Sequence, residues 1–172
     1  NQQIVVLFEP EAQAWAAAET ETSYIDAAFT AFFPEPVFLF LCQDCRFVGY
    51  GTGGEMLQRY IMTHPINAAA FVAVDASENL DSAFLTATGA TKYEKYEDYE
   101  ITYGETPVPV WLISSSVTDQ TKAVADYWKK ANDCLVDQTV LEDGTKVYHQ
   151  DPYSNSPFTY NQKVGEVRVT EK

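Results

Sequence analysis

A chain of 172 residues with 25 Asp and Glu against 11 Lys and Arg carries a formal net charge of −14, which repels a phosphate backbone and argues against nucleic acid as a partner. Hydrophobic residues make up 46% and aromatics 14%, enough to bury one sizeable core, so a disordered or fibrous chain is excluded. No apolar run reaches the roughly 20 residues that span a bilayer; the densest, Val37 to Cys42, has the length of a buried strand.

The sequence opens without Met and runs at once into Ile4–Phe8, a continuous apolar stretch closed by Glu9-Pro10. Such a stretch reads as a strand buried on both faces, and its position marks the chain as a piece of a longer protein, processed or cut upstream. From Tyr24 to Phe33, apolar residues at Ile25, Ala28, Phe29 and Phe32 have helical spacing, ended by Pro34 and Pro36. Val37–Leu41 and Arg46–Gly49 read as the second and third strands. Glu55–Thr63 is a helix with Met56, Leu57, Tyr60 and Ile61 on one face, stopped by His64-Pro65. Ala69–Val74, ending at Asp75, is the fourth strand and Val108–Ile113 the fifth; Lys122–Asn132 is a helix with Val124, Tyr127 and Trp128 inward.

Strands separated by helices imply right-handed crossovers and a parallel sheet. The expectation is therefore a single domain over residues 1–172, three-layer α/β/α with a mostly parallel sheet. Tyr93–Tyr103 interrupts the rhythm with Tyr at 93, 96, 99 and 103, either an amphipathic helix or an exposed strand covering a sheet edge, or else a tyrosine-lined ligand surface. Residues 135–172 form an atypical β-rich C-terminal segment: Thr145–His149 and Glu166–Thr170 alternate like antiparallel strands around a loop-prone Asp151–Pro157.

Cys42 and Cys45 form a lone C-x-x-C, and Cys134 is distant. A zinc site needs about four ligands and no second pair exists to complete one, so no metal is expected. A thioredoxin-type motif belongs at a helix N-terminus, but Cys45 runs into Arg46-Phe47-Val48. The cysteines read as buried or disulfide-capable residues near a strand start, their pairing open.

Gly49-Tyr50-Gly51-Thr52-Gly53-Gly54 carries the chemical argument: a strand runs into a glycine-packed turn that opens a helix. In a nucleophile elbow, G-x-S-x-G, the third residue takes a strained backbone and its side chain stands clear of the sheet, while the flanking glycines let strand and helix approach. Gly49 to Gly53 match that pattern except at Gly51. The same letters satisfy G-x-G-x-x-G at Gly49, Gly51 and Gly54, with Asp75 a candidate ribose acceptor on an NAD(P) cofactor. Two apolar strands precede this turn, whereas the dinucleotide turn follows the first strand of its domain. A P-loop is excluded because no Lys follows the last glycine.

The elbow, its helix, His64-Pro65 and Ala68–Asp75 resemble the α/β-hydrolases in their order along the chain. Pro107–Ile113 resembles the later strand that delivers the catalytic acid, and Asp126–Cys134 is similar to the following helix of the poly(3-hydroxybutyrate) depolymerase and feruloyl esterase group. The resemblance spans residues 37 to 134. It implies an α/β-hydrolase-like fold, an extracellular setting, Gly51 at the nucleophile position, the Thr52 N–H as an oxyanion donor and Asp119 as the acid. Glu9-Pro10-Glu11 stands where the other oxyanion turn would lie, and the catalytic His belongs in a later loop, whereas His149 precedes only the terminal alternating strands. Thr52 otherwise serves in helix capping or packing, and Ser114, Ser115 and Ser116 form a polar strand end with no evident base. His64 reads as a helix C-terminal residue and His149 as a residue of an exposed strand, so no triad assembles.

The expectation is a hydrolase-like domain without serine-esterase chemistry and without a cofactor, binding a small molecule or another domain of its own protein. Two alternatives stand beside it. One is part of an active esterase whose site is completed outside this chain; the other is a dinucleotide-binding domain.

Overall fold

The computed structural model describes residues 7, 23–25, 27–28, 31, 45–77, 93–96, 99–102, 107–152 and 165–171. The expected strands Ile4–Phe8 (Leu7 apart) and Val37–Leu41, and Cys42, lie outside them. In chain order the elements are β1 (Arg46–Tyr50), α1 (Gly51–Thr63), a 3-10 turn at Pro65–Asn67, β2 (Ala70–Val74), β3 (Tyr93–Tyr96), β4 (Tyr99–Thr102), β5 (Val110–Ser114), α2 (Asp119–Ala131), β6 (Cys134–Val140), β7 (Lys146–Gln150) and β8 (Glu166–Glu171).

Among the described residues six strands form one sheet, in the order β1-β2-β5-β8-β7-β6. The pairings β1–β2, β2–β5 and β5–β8 are parallel, while β8–β7 and β7–β6 are antiparallel. The class is α/β, but the sheet is mixed rather than mostly parallel. The reason is that the C-terminal strands join it: β8 lies between β5 and β7, and the β6–β7 hairpin closes that side. The Thr145–His149 and Glu166–Thr170 alternations do belong to antiparallel neighbours. The tyrosine-rich stretch takes its strand reading as a separate hairpin, β3 against β4, with Tyr93 opposite Thr102 and Tyr96 opposite Tyr99.

Both helices of these crossovers lie on one face of the sheet. Phe47, Phe71, Ala73, Val110, Leu112 and Val167 are buried there against Met56, Leu57, Tyr60 and Ile61 of α1 and Val124, Ala125 and Trp128 of α2. Equal direction of chain progression and right-handed crossovers place consecutive helices on the same side. Ile25, in the helical stretch Ser23–Ile25, is also wholly buried and part of this core. On the opposite face Val48 is 70% exposed, Tyr50 73% and Trp111 36%, and among the described residues no helix covers them.

α2 starts at Asp119, three residues before its expected first residue, because Thr118 and Thr121 form a reciprocal cap: each hydroxyl accepts the other's backbone N–H, at 3.1 and 2.9 Å. It ends with Lys129 and Lys130 in the last turn, favourable to the helix dipole. Asn132, 1% exposed, then reaches back to the start of β5. Its Oδ1 accepts the Val108 N–H and its Nδ2 donates to the Val108 carbonyl, both at 2.8 Å, as a neighbouring strand would. Asn132→Ala leaves both buried backbone groups without these partners and is expected to cost roughly 2–4 kcal/mol. Urea titration measures this; a loss below about 0.5 kcal/mol would show that water replaces the side chain.

Candidate functional site

The parallel strands β1, β2, β5 and β8 end side by side. Tyr50 is in register with Val74, Val74 with Ile113, and Ser114 with Glu171, so the next residues out, Gly51 and Asp75, leave adjacent strands together. In open α/β sheets this carboxyl end is where ligands bind.

α1 begins at Gly51, four residues before the start expected from helix propensity. Tyr50, with extended backbone, is the N-cap and supplies no side-chain cap. Glycine is a poor helix former, and here packing overrides the penalty. A Cβ on Gly49 would collide with the Gly54 Cα, and one on Gly54 would lie 2.5 Å from the Ala76 Cβ and 2.8 Å from the Gly49 oxygen. Strand and helix therefore meet backbone to backbone. Gly51 differs: its φ is +53°, and a Cβ there would meet nothing within 4 Å. The junction has the shape expected of an elbow, with a left-handed central residue opening onto free space. Thr52 is exposed and Gly53 half-buried in the first turn.

Asp75 is a second left-handed residue, at φ +46°, a conformation that Asp tolerates better than most side chains. Its Oδ1 accepts the Ser115 N–H at 2.7 Å. That bond, then one from the Ser115 hydroxyl, holds the carboxyl below its ordinary value of 3.8. The carboxylate is thus engaged with the residue after β5, the strand on the far side of β2 from the glycine turn.

Asp119 is the first residue of α2, exposed, with Lys122 Nζ 3.5 Å from its Oδ1; its setting is that of an acidic residue in a helix's first turn. Ser114 is buried at the end of β5, while Ser115 and Ser116 are exposed. Between the sheet end and both helices lies a crevice lined by Gln58, Ala76, Ser77, Ser114 and Thr121, with a volume of about 10 Å³. That is room for a single water, against roughly 300 Å³ or more in small-molecule sites.

Gln58, which sequence reasoning missed, governs this crevice. It is wholly buried; its Nε2 donates to the Ala76 carbonyl and its Oε1 accepts from Trp128 Nε1 at 3.0 Å. A Gln on the apolar face of α1, one position after Leu57, was the available signal.

The chain has two histidines, and both lie at the other end of the sheet. α1 runs back from Gly51, so His64, its C-cap, is at the amino end of the strands; the ring stacks on Tyr60 at 4.7 Å, with Nδ1 3.2 Å from the Tyr60 backbone carbonyl oxygen. His149 is exposed on β7 opposite Glu166, the first residue of β8, with Nδ1 3.4 Å from the Glu166 Oε2. A five-residue strand is roughly 15 Å long, so neither imidazole reaches Gly51.

Cys134 is a free thiol, half-buried at the start of β6. Burial, then the Asp133 charge, pushes the Cys134 thiol up to about 11, away from nucleophilic reactivity at neutral pH. Among the described residues no group of His, Cys, Asp and Glu converges as metal ligands, and no helix is long and apolar enough to cross a membrane. Comparison with protein-family models, with curated proteins and with solved structures gives no match to this chain.

The three glycines differ in what they can accept. Gly54→Ala adds helix propensity of about 1 kcal/mol but sets a methyl group against backbone and Ala76. A net loss of about 1–3 kcal/mol is expected, larger than the approximately 1 kcal/mol for Gly51→Ala, where only backbone strain is at stake. Thermal and urea unfolding rank the two; the reverse order would mean that α1 does not touch β1 at Gly49. The Asp75 contact gives a pH test. A carboxyl held low when folded contributes stability that is complete above its unfolded value, near 3.8, and is lost as pH falls through the folded value. Asp75→Ala should therefore flatten the acid limb of the stability profile below about pH 4 and leave its shape unchanged near neutrality.

Proposed function

We propose that this chain is an α/β-hydrolase-like domain, similar to the poly(3-hydroxybutyrate) depolymerase and feruloyl esterase group, in which glycine holds the nucleophile position and the role is binding or scaffolding. The observation that carries the reading is Gly51, at φ +53° where β1 turns into α1, with open space in front of its Cα. A nucleophile belongs there sterically and is chemically missing. The monotonic order β1-β2-β5-β8 agrees with a hydrolase half-sheet read outward from the elbow, and the proposal includes a three-layer α/β/α arrangement. Glycine at this place relieves the strain that a side chain would bear, so the elbow shape persists without its chemistry.

Two features weigh against ester hydrolysis by this chain. Gly51 has no oxygen or sulfur to acylate, and His64 and His149 stand at the amino end of the strands. Another domain of the same protein, or a small molecule, is the natural partner in this reading, in an extracellular setting. An esterase completed by residues of another chain or segment is the rival it must beat.

A second reading has one specific observation in its favour: Gly49, Gly51, Gly54 and Asp75 share the carboxyl end of adjacent strands, as a dinucleotide fingerprint requires. Against it, the Asp75 carboxylate is already bound to Ser115.

One experiment separates these. A fluorophosphonate probe is expected to label nothing, and short p-nitrophenyl esters to hydrolyse at the buffer rate. Gly51→Ser should lower stability by about 1 kcal/mol and still give no turnover, for want of a base. Robust turnover by that variant, or labelling of any Ser or Thr, would overturn the non-catalytic reading. NAD at millimolar concentration should leave the melting temperature unchanged; a saturable rise that Asp75→Ala abolishes would replace the hydrolase reading with the dinucleotide one.

A further inference from the structure

The sheet face turned away from α1 and α2 holds a tethered aromatic ring. One row of the register crosses this face from Val48 through Val72 and Trp111 to Arg168 and Val147. Trp111 Nε1 donates to Thr170 Oγ1 on β8 at 2.9 Å, and Thr170 Oγ1 lies 2.7 Å from Thr145 Oγ1. Thr170 stands two residues beyond Arg168, the register partner of Trp111. To reach it the indole leans across the neighbouring strand, so the ring lies along the sheet instead of standing up from it. Both threonines are buried, while Trp111 is 36% exposed. The bond restrains the ring and leaves part of its surface open to solvent.

Polar groups border the ring. Arg168 is 44% exposed, and its Nε donates to Glu166 Oε1 at 2.6 Å. The other Glu166 oxygen, Oε2, lies 3.4 Å from His149 Nδ1. All three residues share the face of Trp111: Arg168 is in register with it, and Glu166, two residues earlier on β8, is opposite His149. Guanidinium and carboxylate cancel in charge, so this border offers donors and acceptors together without a net charge of its own.

These surroundings select a ligand class by exclusion. An anion, nucleic acid included, meets a chain of net charge −14. A cation on the indole face meets the Arg168 guanidinium alongside. A wholly apolar ring covering the Arg168–Glu166 pair would strip water from it and return no hydrogen bonds. A neutral sugar avoids all three conflicts. Its ring C–H bonds lie against the electron-rich indole face, and each hydroxyl both donates and accepts.

We propose that Trp111, with Arg168 and Glu166 at its border, is a binding platform for a pyranose unit of a neutral glycan. The sugar stacks on Trp111, and its hydroxyls bond to Arg168 and Glu166. Thr170 is a positioning residue: it holds the indole in the bound orientation before the ligand arrives, which lowers the cost of ordering it. The platform lies on the sheet face, apart from the glycine turn, and depends on no hydrolase relationship.

Titration of the isotope-labelled chain with cellotetraose, maltotetraose, xylotetraose and mannotetraose tests this, with NMR of the indole and guanidinium N–H groups as the readout. At least one glycan is expected to shift the Trp111 indole N–H and the Arg168 Nε–H saturably, leaving the Trp128 indole, buried against Gln58, unmoved. Trp111→Ala, followed through the Arg168 signal, should raise Kd roughly tenfold or more. Arg168→Gln, followed through the Trp111 signal, should raise it several-fold. Thr170→Val keeps the ring but removes its tether; Kd should rise several-fold and the Trp111 indole proton should exchange faster with water, which a purely structural loss elsewhere would not produce. The unshifted Trp128 indole signal reports that each variant is folded. No shift of the Trp111 indole by any of the four glycans would overturn the proposal. So would unchanged affinity in folded Trp111→Ala, or binding of glucuronate or tetramethylammonium at this indole as tight as that of the neutral glycan.

Discussion

Between Gly49 and Gly54 there is no side chain, and the backbone of β1 meets that of α1 directly, with Ala76 closing the third side. The position of α1 follows from this contact. Once its first turn is pressed to the strand, Leu57, Tyr60 and Ile61 fall onto the sheet and into the core with Phe47 and Phe71. Gln58 comes down between α1 and the end of β2, too deeply buried to be left without partners. Its two hydrogen bonds fix the Ala76 backbone and the Trp128 indole, so the second helix is set by the same arrangement as the first. A methyl group at either glycine would shift all four elements.

The two ends of the sheet differ in chemistry because of this layout. The carboxyl end holds residues with special backbone geometry, Gly51 and Asp75, and its acidic group is committed to a neighbouring N–H. The amino end holds both imidazoles and the Asn132 bridge to Val108. The two imidazoles and the left-handed turn at Gly51 are separated by the length of the strands, and local changes in side-chain rotamer cannot close that gap.

Much of the parallel core was legible in the sequence. Ala69–Val74 and Val108–Ile113 are apolar runs of strand length, and the junction of β1 with α1 was readable because glycine spacing is a local property of a strand–helix turn. What failed was where tertiary contact outweighs local preference. Glycines at 51, 53 and 54 read as a loop by propensity, yet they form the first turn of α1 because they alone let it lie on β1. The helix expected from Lys122 starts three residues earlier, at Asp119, because the Thr118–Thr121 cap adds a turn. β6 left no alternation to detect, since an edge strand exposed on both faces has no buried side to pattern. The insertion of β8 between β5 and β7 is a pairing between distant segments, and nothing in the local pattern of Glu166–Glu171 specifies its neighbours. For the site, residue spacing located the turn, but only the course of α1 and β7 revealed that both histidines lie at the wrong end.

Gly51 has a consequence for handedness. At φ +53° with empty space beyond its Cα, the position disfavours every L-residue for one reason only, the direction in which the side chain leaves the backbone. A D-amino acid prefers this same region, because its sterics are the mirror image. D-Alanine introduced at 51 by chemical ligation would therefore fit without strain and would also restrict the unfolded chain more than glycine does. The turn that strains an ordinary L-residue is thus a place where the molecule accepts the opposite chirality, and a reactive group of that hand could be mounted at the mouth of the sheet without moving the helix behind it.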